Sequence, residues 1–474
     1  MRVRGLAWVF LGAVGCGSVS DNKQLADGPT GDVDAMTPAA PGTLRWVRSL
    51  SSLEALGVAD GPGGLVITGA MTTPADLGGG VLTPTGGAAL VVAGFNSDDA
   101  SHLYSVRYGD VGSVFPFLHA VNASGAPIVN GVSYGNVDLG KGKVAGGTPG
   151  STAFADGYIG VYGPGAPAWV QRIVGPGDDK IVAVAQGPGS SIYGAGWYEG
   201  APTFNGATLP TSSNRDLFLA RFDVFTGAVQ LTRTYSGTGR EEISGAARAG
   251  DAVVVSGMFD DTLNIGGGTI AATGGGLDVF AAKLTAAGDT IWAVRFGGTG
   301  DDRDPRVVVD SAGDVYLLGS FTGQIAFGAL NLVAHGATDV DTFVAKLRGA
   351  DGSVAWAISL GTAAMGTTNG VDSILDAAVD TAGHLAIAGV LGGPLDGKTS
   401  AGGLDAYVAS LDTSNGALRW RNIYSSDKDD RAFAVTVGRN GDVYAVIDLG
   451  GPFDFGMPII GAATPTSVLL RLAP

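Results

Sequence analysis

Acidic residues recur along this chain in a way that would bring carboxylates together. Glu54, Asp110, Asp178 and Asp179, Glu241 and Glu242, Asp301 and Asp302, Asp372, and Asp429 and Asp430 each stand just ahead of an apolar, β-rich run. Carboxylates gathered on one face would hold a hard cation such as Ca2+, which takes grouped oxygen ligands, or would receive a basic partner. The plainer reading is that each acid accepts backbone N–H bonds in its own turn, because a feature present in every repeat serves the repeat. Trp197 and Tyr198, followed by Glu199, occupy a place where other repeats carry Met258-Phe259 or Ser320-Phe321. An aromatic at a position that varies between repeats is a candidate platform for a sugar or a peptide, and otherwise packs a loop.

Other chemistry has little material. His102, His119, His335 and His384 are not spaced as metal ligands, and there is no Gly-x-Ser-x-Gly elbow or phosphate loop. Gly297 to Asp302 looks like one copy of a calcium-binding nonapeptide, but its counterparts are some 60 residues away rather than nine. Asp310-Ser311-Ala312-Gly313 and Asp380-Thr381-Ala382-Gly383 read as hairpin turns. A carboxylate pair for glycosidic cleavage is compatible with so many acids, so a carbohydrate-active hydrolase or lyase is the enzymatic alternative.

The elements that must position these residues are repeated. Bulky residues recur as Trp46, Tyr104, Trp169, Leu231, Trp292, Trp356 and Trp420. Trp46 to Trp169 and Trp169 to Trp292 are 123 residues each, and the next two steps are 64 each. A period near 62 predicts an array of identical supersecondary units. The clearest unit spans residues 288–347: GDTIWAVRFGG, the loop GDDRDP, RVVVD, the turn SAGD, VYLLGSF, a Gly-rich excursion, and DTFVAKL. β-branched and aromatic runs bounded by Gly, Asp and Ser are strand signals, and no 3.6-residue period is sustained. Four strands per unit, seven units and no helices predict an all-β fold, a seven-bladed β-propeller of four-stranded blades. Counted from the inside, each blade runs RVVVD-type, VYLL-type, FVAKL-type, then Trp-type. The last unit lacks its Trp strand, so residues 43–50 are expected to pair with the C-terminal segment, complete the last blade and close the ring.

Composition agrees with this architecture. Gly is 80 of 474 residues, without a Gly-x-y period, which suits many tight turns and excludes collagen. Hydrophobic content of 45% supplies a core. A net charge of −16 argues against nucleic acid as a partner and against unaided binding to an anionic membrane.

The chain opens MRVRGLAWVFLGAVGC. Arg2 and Arg4 precede a ten-residue uncharged stretch that is too short to span a bilayer. Ala13-Val14-Gly15-Cys16 resembles the bacterial lipobox, with Ala13 where Leu is more usual. The resemblance implies a signal peptide over 1–15 and lipidation of Cys16. Gly17 after the Cys implies the outer membrane of a bacterial cell envelope. Residues 16–42, rich in Asp, Gly, Pro and Ser, read as a flexible tether to a propeller over 43–474.

Within that propeller, residues 297–321 (GGTGDDRDPRVVVDSAGDVYLLGSF) resemble the bacterial β-propeller repeat family of SBBP type. LDTSNGALRW (411–420) and GADGSVAW (349–356) resemble the tryptophan motifs of quinoprotein-type propellers, which usually have eight blades. The first resemblance implies surface or envelope binding and structural roles. The expectation is a lipid-anchored, monomeric, non-catalytic module that binds a protein or a polysaccharide, reaches the membrane only through its anchor and carries no cofactor, with Ca2+ as the candidate ion. A scaffold within an outer-membrane assembly machine is a variant of the same reading.

Overall fold

The computed structural model describes residues 39–474 apart from 51, 111, 145–153, 337, 363–370, 394–402 and 462–465. The expected signal peptide, Cys16 and most of the expected tether lie outside the described residues. Among the described residues there is no α-helix.

Each expected unit is an antiparallel sheet with strands in sequence order. S1 holds Glu54–Gly61, Gly64–Met71, Ala89–Phe95 and His102–Tyr108; S2 holds Ser113–Val121, Pro127–Tyr134, Asp156–Val161 and Trp169–Val174. S3 holds Asp179–Gln186, Ser191–Gly200, Ser212–Asp223 and Val229–Gly237; S4 holds Glu241–Ala249, Ala252–Phe259, Asp278–Leu284 and Thr290–Gly298. S5 holds Asp302–Val309, Val315–Thr322, Val340–Leu347 and Val354–Leu360; S6 holds Ser373–Val379, His384–Leu391, Asp405–Asp412 and Leu418–Tyr424. S7 takes Arg431–Val437, Val443–Asp448 and Ser467–Leu472 from the end of the chain and Leu44–Ser49 from its beginning. Leu44–Ser49 runs antiparallel to Ser467–Leu472, with Val47 opposite Leu470. The pairing expected of the N-terminal strand is therefore present.

Apolar runs such as Arg306–Val309 and Val315–Phe321 are buried along their length because both faces of a sheet are covered by its neighbours. The cores accordingly lie between sheets. Val254, Val279 and Trp292 of S4 pack with Val307, Leu317 and Phe343 of S5. Val308, Tyr316 and Val344 of S5 pack with Ile374, Ile387 and Tyr407 of S6. Trp46, Tyr444 and Leu469 of S7 pack with Ala55, Leu65 and Ile67 of S1.

The recurring tryptophans explain part of the repeat. The indole N–H of Trp169 donates to Val224 O at 2.9 Å, that of Trp292 to Gly349 O at 3.2 Å, and that of Trp356 to Thr413 O at 3.2 Å, in each case on the next sheet. Each ring lies on a turn glycine of that next sheet. Gly227, Gly352 and Gly416 have φ of 70°, 74° and 76°, and an added Cβ would meet the ring at 2.4, 2.9 and 3.0 Å. Only glycine allows both the left-handed backbone and the close approach. The buried indoles of Trp169 and Trp292 each contribute on the order of 3 kcal/mol, and the half-buried one of Trp356 less.

The Gly-rich excursion is a finding that the repeat pattern does not announce. Between the second and third strands of S3, S4 and S5 it forms a two-stranded ribbon that pairs with the last strand of the preceding sheet. Phe204 sits opposite Ile173, Leu263 opposite Gly237, and Ile325 opposite Gly298. Each ribbon clasps one sheet to the next and covers an edge that would otherwise be open.

Candidate functional site: paired acids at the sheet junctions

The loops that enter the first strands hold the acids, and in three of them the same two bonds cross to the preceding sheet. Asp178 Oδ1 accepts the N–H of Ala155 at 2.8 Å, while the Asp179 N–H donates to Ala155 O at 2.7 Å. Asp301 and Asp302 treat Leu277 the same way, at 3.0 and 2.8 Å, and Asp429 and Asp430 treat Leu404 the same way, at 3.1 and 2.7 Å. The first acid takes the amide and the second returns its own amide to the carbonyl, so both backbone groups of one residue are satisfied across the junction. Asp110 Oδ1 accepts from the Asp138 N–H at 3.2 Å, and the Asp372 N–H donates to Val340 O at 2.8 Å.

This geometry corrects two expectations. The acids do not form an open rim. Asp179, Glu241, Asp302, Asp372 and Asp430 are 0% exposed and Glu242 is 5% exposed. Asp178 and Asp301 are half-buried and Asp429 is exposed; Asp301 and Asp429 are paired with Arg303 and Arg431 at 2.6 and 3.2 Å. Nor do the first acids of these pairs cap turns of their own; they bond to the neighbouring sheet. Own-loop bonds are made by second acids, Glu241 from the Gly239 N–H and Asp430 from the Ser426 N–H, and by Asp310 and Asp380, whose Oδ1 atoms accept the N–H groups two and four residues on.

Burial pushes the second acids upward, and the number of donors at each sets how far. Asp302 has no well-formed hydrogen bond on either oxygen, and the Gly298 N–H is the one donor that reaches toward it. Desolvation and the charge of Asp278 raise it to about 9, which the Gly298 N–H offsets only in part. Asp179 has one bond, from the Glu199 N–H at 3.3 Å, and desolvation raises it to about 8. Glu241 has one, from the Gly239 N–H at 3.2 Å, and desolvation again raises it to about 8. Asp372 accepts from the N–H and hydroxyl of Thr362 and from the Gly392 N–H at 2.8 Å, and desolvation raises it only to about 6. Donors to a carboxylate favour its charged form, and burial disfavours it.

Trp197 and Tyr198 are placed differently from the expected platform. Trp197 is 2% exposed and Tyr198 fully buried. The Arg215 guanidinium lies 4.0 Å from the Trp197 ring centroid and the Lys180 ammonium 4.9 Å from it. Arg215 is fixed there by Glu199, 2.9 Å from its Nε, and by Glu242, which also takes Arg240 Nε at 2.6 Å. The indole is the floor of an ion-pair network rather than a free surface.

The sequence reading passed over a second set of links. Every first strand carries a β-bulge, as between Ile181 and Ala183, Arg303 and Arg306, and Ile374 and Asp376. A bulge leaves backbone groups outside its own ladder, and neighbouring side chains take them. Asn130 Nδ2 donates to Ile181 O at 2.9 Å, Ser244 Oγ to Pro305 O at 2.7 Å and Arg306 Nε to Leu375 O at 3.0 Å. Asp376 Oδ2 accepts the Val435 N–H at 2.9 Å. Part of their signal was present: Ser244, Arg306 and Asp376 are polar residues directly beside the small and apolar runs of their first strands.

Among the described residues, no group of three or more His, Cys, Asp or Glu side chains is arranged to hold a metal ion. A shallow cleft of about 220 Å³ lies along the last strand of S2, lined by Val137, Leu139, Lys141, Val170, Gln171 and Arg172, none of them an expected site residue.

No family model matches the chain, and no curated protein sequence matches it. Solved structures do resemble it in shape. It is similar to the Dos1 propeller at 9% identity and a TM-score of 0.42, covering 91% of this chain and 94% of that one. It is similar to BamB from Moraxella catarrhalis at 14% identity and a TM-score of 0.37, covering 90% and 97%. It is also similar to the quinohemoprotein alcohol dehydrogenase from Comamonas testosteroni at 10% identity and a TM-score of 0.39, covering 91% and 76%.

Proposed function

We propose that this chain is a seven-bladed β-propeller, closed by its N-terminal strand, that serves as a non-catalytic binding or scaffold module. It is a monomer, tethered to a bacterial envelope membrane, the outer membrane, through lipidated Cys16, and its partner is a protein or a polysaccharide. The resemblance of residues 297–321 to the SBBP-type repeat belongs to this reading. The antiparallel pairing of Leu44–Ser49 with Ser467–Leu472 supports closure, and so does the shared core of S7 and S1.

One observation carries the functional part. The acids that repeat along the chain, the best raw material for catalysis in the sequence, bond from one sheet to the next at the junctions. Chemistry repeated in every unit builds the frame, and the loops that differ between units are left to meet a partner. In this reading calcium is not a constituent. A calcium titration that releases heat or raises the melting temperature would remove that part.

The test is affinity capture from envelope fractions using the full chain and its Cys16→Ser variant. The full chain is expected to fractionate with membranes and to retain a defined protein or polysaccharide, and the variant to appear in the soluble fraction. Release of new reducing ends from envelope or extracellular polysaccharides by the purified chain would replace this reading with the hydrolase or lyase.

A further inference from the structure

The junction acids come in pairs drawn from two sheets. The negative charge of Asp156 of S2 acts on Asp179 of S3, that of Asp216 of S3 on Glu241 of S4, and that of Asp278 of S4 on Asp302 of S5. Asp341 of S5 acts in the same way on Asp372 of S6, and Asp405 of S6 on Asp430 of S7. In every pair one acid lies at or near the start of a third strand and the other at the entry to the next sheet's first strand. The second member is wholly buried in all five.

Asp302 shows what such a pair requires. The charged groups around it are Asp278, from the third strand of S4, and its neighbour Asp301. The nearby cations are engaged elsewhere. Arg295 NH1 reaches Asp278 Oδ2 at 3.0 Å, and Arg303 NH2 reaches Asp301 Oδ2 at 2.6 Å. Thr273 also gives its donors to Asp278: its N–H to Oδ2 and its hydroxyl to Oδ1, both at 2.8 Å. The second strand of S5 places Phe321 opposite Asp302 and brings no charge. A carboxyl buried near another carboxyl, with no well-formed hydrogen bond on either oxygen, is most stable when it carries its own proton.

We propose that the junctions entered by Asp179, Glu241 and Asp302 each store a proton on that acid, and that this proton closes the junction, so the sheets tighten in acid and loosen in alkali. The proton does two things. It removes the repulsion between the two carboxyls, and it removes the cost of burying a charge where few donors compensate it. Repetition at three successive junctions, from S2 to S5, spreads a local protonation over a large part of the frame. The acids with fewest donors, Asp302, Asp179 and Glu241, dominate the response, whereas Asp372 and Asp430 are held by their own loops.

An isosteric amide separates a stored proton from a required charge. The melting temperature of the full chain is followed from about pH 5 to about pH 9 for the wild type, Asp302→Asn and the control Asp289→Asn, whose carboxyl is 70% exposed. Each profile is taken with a chelator and again with Ca2+. The wild type and the control are expected to lose melting temperature together as pH rises. Asp302→Asn is expected to lose less and to melt about 2 °C or more above the wild type at pH 9. Calcium is expected to leave all three profiles unchanged. An equal destabilisation of Asp302→Asn at both ends of the range would overturn the proposal. So would a calcium rescue of the wild type at pH 9 that Asp302→Asn lacks, which would make the junction a cation site. If the variant does not fold, infrared spectra of the wild type decide: a protonated-carboxyl band at neutral pH that titrates away in alkali supports the stored proton, and its absence at neutral pH removes it.

Discussion

Arg439 holds Asp60 across 379 residues of sequence. Its backbone N–H donates to Asp60 Oδ2 at 3.0 Å, and its guanidinium Nε reaches the same oxygen at 3.3 Å. Asp60 ends the first strand of S1, and Arg439 lies in the turn after the first strand of S7. Asp60 is 6% exposed, so its loss leaves donors of S7 without an acceptor in a place water reaches poorly. Asp60→Ala is expected to lower stability by about 1–3 kcal/mol, read as a lower midpoint in urea. Deleting residues 43–50 removes a strand with the buried Trp46, Val47 and Leu50 and is expected to cost several-fold more, roughly 5 kcal/mol. An unchanged melting temperature after that deletion would refute closure by the N-terminal strand.

Gly298 is where the ribbon of S5 clasps S4. A Cβ at this position would stand 1.6 Å from the carbonyl oxygen of Gln324, and the same substitution at Gly237 would meet Thr262 O at 1.6 Å. Backbone has to move in either case. Gly298→Ala is expected to cost about 2 kcal/mol or more. Hydrogen exchange should localise the damage, with protection lost at Gln324–Phe327 and Leu330–Val333 before the rest of S5.

Arg215 is the cover of Trp197. Arg215→Ala exposes one face of the indole and leaves Glu242 with Arg240 alone. The expected results are a red-shifted and more quenchable tryptophan emission and a stability loss of about 1–2 kcal/mol. Arg215→Lys keeps the charge but cannot hold Glu199 and Glu242 together, so it should restore the emission only in part.

Thr362 supplies two of the donors that keep Asp372 near 6. Thr362→Val removes the hydroxyl and leaves the N–H, so the Asp372 pKa should rise further. A buried acid with a raised pKa gives stability that is complete below its unfolded value, about 4, and lost as pH climbs to the folded value. The wild-type loss at this site ends near pH 6, and the variant's continues above it. The two proteins should melt close together at pH 5, and the variant should be weaker at pH 8 by about 1–2 kcal/mol. A gap that stays constant with pH would deny the hydroxyl this role.

Strand order and phase were legible because they are written in periods. The Trp spacing and the Val-rich runs repeat, and a period-2 or fully apolar run has few other structures open to it. The pairing of residues 44–49 with the C-terminal segment followed from counting strands. The acids were legible as a pattern and misread as a surface. Their role depends on a bond to a residue some 25 positions earlier, Leu277 for Asp301 or Leu404 for Asp429, and backbone acceptors and donors leave no mark on residue type. Of the two readings open for Trp197, packing holds, and its cover was illegible for a related reason: Arg215 lies 18 residues away and belongs to another strand. The ribbons escaped because Gly-rich segments with two- to four-residue strands carry too few apolar positions to show a period.

One strand made early is placed late. Leu44–Ser49 leaves the ribosome more than 400 residues before Ser467–Leu472, its antiparallel neighbour. Until then the sheets between them can assemble from local hairpins, while this strand keeps its amides and its indole without their final neighbour. Folding of the chain should therefore show a slow last phase that reports on Trp46, and the nascent chain should be most prone to stick to itself just before Ser467–Leu472 emerges.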